Sequence, residues 1–83
     1  MKKDKKKSVL VIGGSGFLGS HTADLLSANG YDVTIYDLYE SEYYNNSQKM
    51  VIGDVLDSEM VQSAMNGKDI IYNFSDLLNL KKV

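Results

Sequence analysis

The chain has 83 residues, 43% of them hydrophobic and none of them cysteine, so it is one small domain held by apolar packing, without disulfides or a cysteine-ligated metal. Its composition excludes a disordered chain, and no apolar run approaches the ~20 residues of a membrane span. The net charge of −2 is uneven: five lysines crowd the first seven residues, while from Ser8 onward four lysines against ten acids leave −6, which excludes a basic nucleic-acid face in the folded part.

Residues 1–7 form a disordered, solvated basic tail. A lysine-rich start followed by an apolar run outlines a secretory signal, but Gly13, Gly14 and Ser15 break the run too early for a signal core of about 7–15 residues. The protein is therefore expected to be cytoplasmic, without membrane contact. Residues 8–12 are a continuous β-branched and leucine run, as in a parallel strand covered on both faces. A glycine-rich turn follows, and two frames fit it: Gly14, Gly16 and Gly19, or Gly13, Gly16 and Gly19. Glycine in the first place lets the chain turn, in the second admits a pyrophosphate close to the backbone, and in the third packs the helix on the sheet. A helix over residues 16–29 then points its free N–H groups at the phosphates. Leu18, Thr22, Leu25 and Leu26 share one face of that helix, which is expected to be the buried one, and Asn29-Gly30 ends it.

A second strand spans residues 31–36, with Asp37 at its end. Asp37 lies 18 residues after Gly19 and 23 after Gly14, where a dinucleotide site places the acid that accepts from the adenosine ribose hydroxyls. The charge of Asp37 repels a 2′-phosphate, and Leu38 offers no compensating cation, so the cofactor is expected to be NAD rather than NADP. Residues 38–49 form a polar loop tethered by half-buried tyrosines, with packing of Tyr39, Tyr43 or Tyr44 near an adenine as the alternative. A third strand covers residues 50–52 and ends at Gly53-Asp54, which has two open readings, a nucleotide contact or ordinary turn chemistry. Asp57 caps a second helix with Met60, Val61, Ala64 and Met65 on one face, Asn66-Gly67 stops it, and residues 69–74 make a fourth strand. The order predicts an α/β, Rossmann-like parallel sheet of four strands, 3-2-1-4, with flanking helices. Its ligand crevice opens between the first and fourth strands. Domain organisation follows: the tail at 1–7, a partial dinucleotide-binding domain over 8–76, and a tail or the start of a truncated helix at 77–83.

Gly13-Gly14-Ser15-Gly16-Phe17-Leu18-Gly19-Ser20-His21 resembles the cofactor turn of the extended short-chain dehydrogenase/reductase family, the NAD-dependent epimerases and dehydratases of nucleotide sugars. Gly53-Asp54-Val55 and Ile71-Tyr72-Asn73-Phe74-Ser75 are similar to two further motifs of that family. The resemblance covers residues 8–75 and implies cofactor contacts from Phe17 and Leu18 in the turn, from Leu38 beside Asp37, from Asp54 and Val55 at the adenine, and from Asn73, Phe74 and Ser75 beside the pyrophosphate and nicotinamide ribose. Ser75 and Asp76 depart from the family's small apolar residues and bring an extra carboxylate toward the phosphates unless Asp76 turns outward. The family's proton transfer uses a Tyr-x-x-x-Lys pair, and no tyrosine here has a lysine four residues later.

His21, the single histidine, is expected to be a packing or surface residue. One histidine without placed partners specifies neither a catalytic set nor a metal site. The expected function is the NAD-binding N-terminal portion of a nucleotide-sugar epimerase/dehydratase-like oxidoreductase, with this chain alone inactive. The alternative is a non-catalytic nucleotide-binding module, free-standing or completed by a partner. A nucleotide sugar is expected as a partner only together with a C-terminal region, no nucleic acid is expected, and the exposed edge of the fourth strand favours self-association.

Overall fold

The computed structural model describes residues 6–40 and 48–75. In chain order these carry β1 (Ser8–Ile12), α1 (Phe17–Ala28), β2 (Asp32–Asp37), β3 (Lys49–Ile52), α2 (Ser58–Met65) and β4 (Ile70–Asn73). The strands form one parallel sheet in the order β3-β2-β1-β4, as expected. Val9 pairs with Val33 on one side and Ile70 on the other, and Asp37 pairs with Ile52. All four strands therefore end on the same edge of the sheet.

Alternation along the strands divides the core in two. Val9, Val11, Val33 and Ile35 point to the face covered by Ala23 and Leu26 of α1, with Met50 and Ile70 at the margin. Leu10, Ile12 and Tyr36 point to the face covered by Val61, Ala64 and Met65 of α2. Every β1 residue from Val9 to Ile12 is fully buried, which is why that strand is an unbroken apolar run. Each such side chain contributes about 1.5–3 kcal/mol of burial. The chain moves from β1 to β2 in one direction across the sheet and from β3 to β4 in the other. Right-handed crossovers then place the two helices on opposite faces.

The expected buried face of α1 is corrected. Leu18 and Leu25 are 62% and 56% exposed, whereas Gly19, Ser20 and Ala23 are buried and Leu26 is half-buried against the core. Small residues face the sheet because α1 begins almost against β1's exit turn. A Cβ on Gly19 would come within 2.7 Å of the Gly14 Cα. The α2 face is as expected for Val61, Ala64 and Met65, with Met60 at the rim. Just before β3 lies a residue whose burial polarity alone hid: Gln48 is 5% exposed, and its amide donates to Asp24 Oδ1 and Ser27 Oγ of α1, both at 3.0 Å. Tyr43, Tyr44 and Asp76 lie outside the described residues. Among the described residues no helix is long and apolar enough to cross a membrane.

Candidate nucleotide site at the carboxyl edge of the sheet

Four segments leave the sheet at its carboxyl edge: the glycine turn after β1, Asp37 and Leu38 after β2, Gly53-Asp54 after β3, and Phe74-Ser75 after β4. The glycine turn resolves the two possible frames. Gly13 has φ +79°, the left-handed conformation that favours glycine. Its amide donates to the Tyr36 carbonyl at 2.8 Å, and a Cβ there would meet the Phe74 carbonyl carbon and Ser75 nitrogen at 3.2 Å. Gly13 is thus the turning glycine and the point where the β1 and β4 exits touch. Gly14 is a packing glycine, since its Cβ would approach Ile35 Cγ2 to 2.8 Å. Gly19 makes the close approach of helix to turn. Gly16 differs from all of them, because a Cβ on it would meet nothing nearer than the Gly13 carbonyl oxygen at 3.9 Å.

Gly16 is also the N-cap of α1, where no side chain caps and no acid occupies the first turn. The first helical hydrogen bond runs from the Ser20 amide to the Gly16 carbonyl at 2.8 Å. The amides of Phe17, Leu18 and Gly19 stand ahead of it, at the positive end of the helix dipole. Open space over Gly16 beside these amides fits a phosphate without any cationic side chain. The Phe17 side chain, 82% exposed, stacks on His21 with ring centroids 6.4 Å apart. His21 is an exposed helix residue, and among the described residues no cluster of histidine, cysteine or acids is arranged for a metal.

Asp37 is brought to the turn. Its Oδ2 accepts from the Ser15 amide at 2.9 Å and its Oδ1 from the Leu38 amide at 2.7 Å. The Leu38 side chain is half-exposed and carries no charge. Asp54 joins the same edge through Tyr36, whose hydroxyl donates to the Asp54 carbonyl at 2.8 Å. Burial pushes the Tyr36 phenol above its ordinary pKa of 10.0, and the charges of Asp57 and Asp54 push the same way, so the phenol stays protonated as a donor. Gly53 is obligatory beside it: a Cβ would lie 2.6 Å from the Tyr36 hydroxyl oxygen. The Asp54 carboxylate itself accepts from the Leu56 amide at 2.9 Å, so turn chemistry occupies one of its oxygens. Val55 is half-buried against the α2-side core. Asn73 folds back to accept from the Ser75 amide at 2.9 Å, and the Phe74 amide donates to the Ile12 carbonyl at 2.8 Å, which holds the β4 exit beside the glycine turn.

Sequence reasoning missed Ser15, Tyr36 and Gln48. Ser15 is a small polar residue among glycines, and no spacing rule marks Tyr36 as the support of a distant turn. A groove of about 450 Å³ lined by Ser8, Asp32, Lys49, Val51, Met60 and Lys68 includes none of these groups and extends to the amino ends of the strands.

A model of the NAD dependent epimerase/dehydratase family matches residues 9–80. The chain is 33% identical over 69 residues to the mouse (Mus musculus) sterol-4-alpha-carboxylate 3-dehydrogenase, decarboxylating, a match covering 83% of this chain and 19% of that protein. Among solved structures, UDP-glucose 4-epimerase from Thermotoga maritima with UDP-glucose superposes with a TM-score of 0.75 at 29% identity, over 82% of this chain and 24% of that one. UDP-glucose 4-epimerase from Brucella ovis in complex with NAD gives a TM-score of 0.70 at 35% identity, over 83% of this chain and 22% of that one. The chain thus spans about a fifth to a quarter of the length of the proteins it matches.

Proposed function

The chain belongs to the NAD dependent epimerase/dehydratase family, and on that premise we propose that it is the cofactor-binding N-terminal portion of a nucleotide-sugar epimerase/dehydratase-like oxidoreductase, holding the adenosine-diphosphate half of NAD. The observation that carries this reading is the open space over Gly16 at an uncapped helix end, with the Asp37 carboxylate tied 2.9 Å from the same turn. In this reading the amides from Phe17 to Gly19 bind the pyrophosphate. Asp37 accepts from the adenosine ribose, Asp54 and Val55 flank the adenine, and Asn73, Phe74 and Ser75 border the path toward the nicotinamide. The bound cofactor would supply hydride transfer, and the chain's own residues would bind and orient it. With no Tyr-x-x-x-Lys pair in its 83 residues, the chain offers no tyrosine and lysine for the family's proton transfer. The second reading is a non-catalytic nucleotide-binding module, free-standing or completed by a partner.

NAD is preferred over NADP because a 2′-phosphate would face the Asp37 carboxylate with no cation beside it among the described residues, a repulsion of about 1–4 kcal/mol at close range. Calorimetric titration of the chain with both cofactors is expected to give at least about tenfold tighter binding of NAD. Equal or tighter binding of NADP overturns the preference, and binding of neither overturns the cofactor role. We further infer self-association through β4. Among the described residues this strand pairs only with β1, and Tyr72 and Phe74 are 40% and 38% exposed. Sedimentation across a concentration series is expected to show a concentration-dependent dimer or larger species, and a monomer throughout refutes it.

A further inference from the structure

We propose that Ser15 is a positioning residue that pre-forms the adenosine-ribose subsite, an inference that rests on the cofactor reading above. Both polar groups of this residue are used, and they reach the same short segment after β2. The Ser15 amide donates to Asp37 Oδ2 at 2.9 Å, and the Ser15 hydroxyl donates to the Tyr39 carbonyl at 2.6 Å. Between those two anchors the Leu38 amide donates to Asp37 Oδ1 at 2.7 Å. The contacts close a ring: Ser15 holds Tyr39, the backbone through Tyr39 holds the Leu38 amide on Asp37, and Asp37 returns to Ser15.

The ring fixes a carboxylate that would otherwise turn about its terminal torsion. An ionised carboxylate offers about four acceptor positions. The Ser15 amide takes one position on Oδ2 and the Leu38 amide one on Oδ1, where the Tyr39 amide also reaches at a long 3.5 Å. The free position on Oδ2 and the weakly held one on Oδ1 remain for a pair of neighbouring hydroxyls. A vicinal diol is the group that matches such a pair, and the ribose carries one. The Asp37 side chain is ordered before any ligand arrives, so binding does not have to order it. The hydroxyl of Ser15 can be removed while the Asp37 carboxylate and every backbone amide of the ring remain. It is half-buried at the rim of the turn and outside both core clusters.

The test compares ADP with 2′,3′-dideoxy-ADP, which lacks the diol, by calorimetry on the full chain and its Ser15→Ala and Ser15→Thr variants. Ser15→Ala is expected to weaken ADP by about threefold to tenfold, the effect of one intramolecular hydrogen bond, and to change the dideoxy compound by less than about twofold. Ser15→Thr keeps the donor and is expected to restore ADP binding to within about twofold of the unaltered chain. A merely structural role would weaken both nucleotides together, so an equal loss on both, or a loss on neither, overturns the proposal. Failure of the unaltered chain to bind either nucleotide overturns the cofactor reading itself, and the role of Ser15 falls with it.

Discussion

The chain passes from strand through glycine into helix twice, and it finishes the two turns differently. Where β3 enters α2, Asp57 accepts from the Met60 amide at 3.2 Å and Glu59 stands in the first turn. Where β1 enters α1, the N-cap is Gly16, with no side-chain cap and no acid in the first turn. Both helix ends present the same unsatisfied amides and the same positive dipole end. At α2 the chain answers them with its own carboxylates, and at α1 no side chain answers them. In the reading proposed above, a binding turn is an unfinished structural turn, and with glycine at the N-cap it forgoes only about a few tenths of a kcal/mol of capping.

The contrast can be broken hardest within the first turn, where two glycines three residues apart have opposite surroundings. Gly19→Ala puts a Cβ 2.7 Å from the Gly14 Cα, backbone against backbone. It is expected to cost about 3 kcal/mol of stability, read as a lowered urea midpoint. An unchanged midpoint would remove the packing role of Gly19. Gly16→Val enters open space at φ −78° and is expected to change stability by only about 1 kcal/mol, the difference between a glycine and a β-branched N-cap. It should nevertheless lower NAD affinity by at least about 100-fold, because the methyl groups occupy the phosphate position. Retained affinity with a normal midpoint would show that the phosphates do not pass over Gly16. The smallest change sharpens the other half of the comparison. Asp57→Ala is expected to lose about 1 kcal/mol of stability while leaving NAD affinity within about twofold. A large loss of affinity would mean that the second turn is not closed to the ligand.

Much of this architecture was legible in the residues because burial on two faces leaves a plain mark. An unbroken Val9 to Ile12 run has one physical explanation in a parallel sheet, and Asn29-Gly30 and Asn66-Gly67 stop both helices where expected. The α1 face was misread for an equally physical reason. Leucine spacing reports where apolar area lies, whereas a helix pressed close to a sheet needs missing area, and Gly19, Ser20 and Ala23 supply it. The glycine frame stayed open until φ +79° at Gly13 and the free space at Gly16 separated the turning glycine from the one with room above it. The ring around Asp37 was invisible because two of its donors are backbone amides, which every residue but proline carries and no sequence pattern marks.

Tyr36 ties two of these corners together. Its carbonyl receives the Gly13 amide, and its hydroxyl, at the far end of the ring, reaches the Asp54 carbonyl. The residue is fully buried and has no room to swing. It therefore works as a ruler laid between the turn after β1 and the turn after β3, and the length of one phenol sets the span between them.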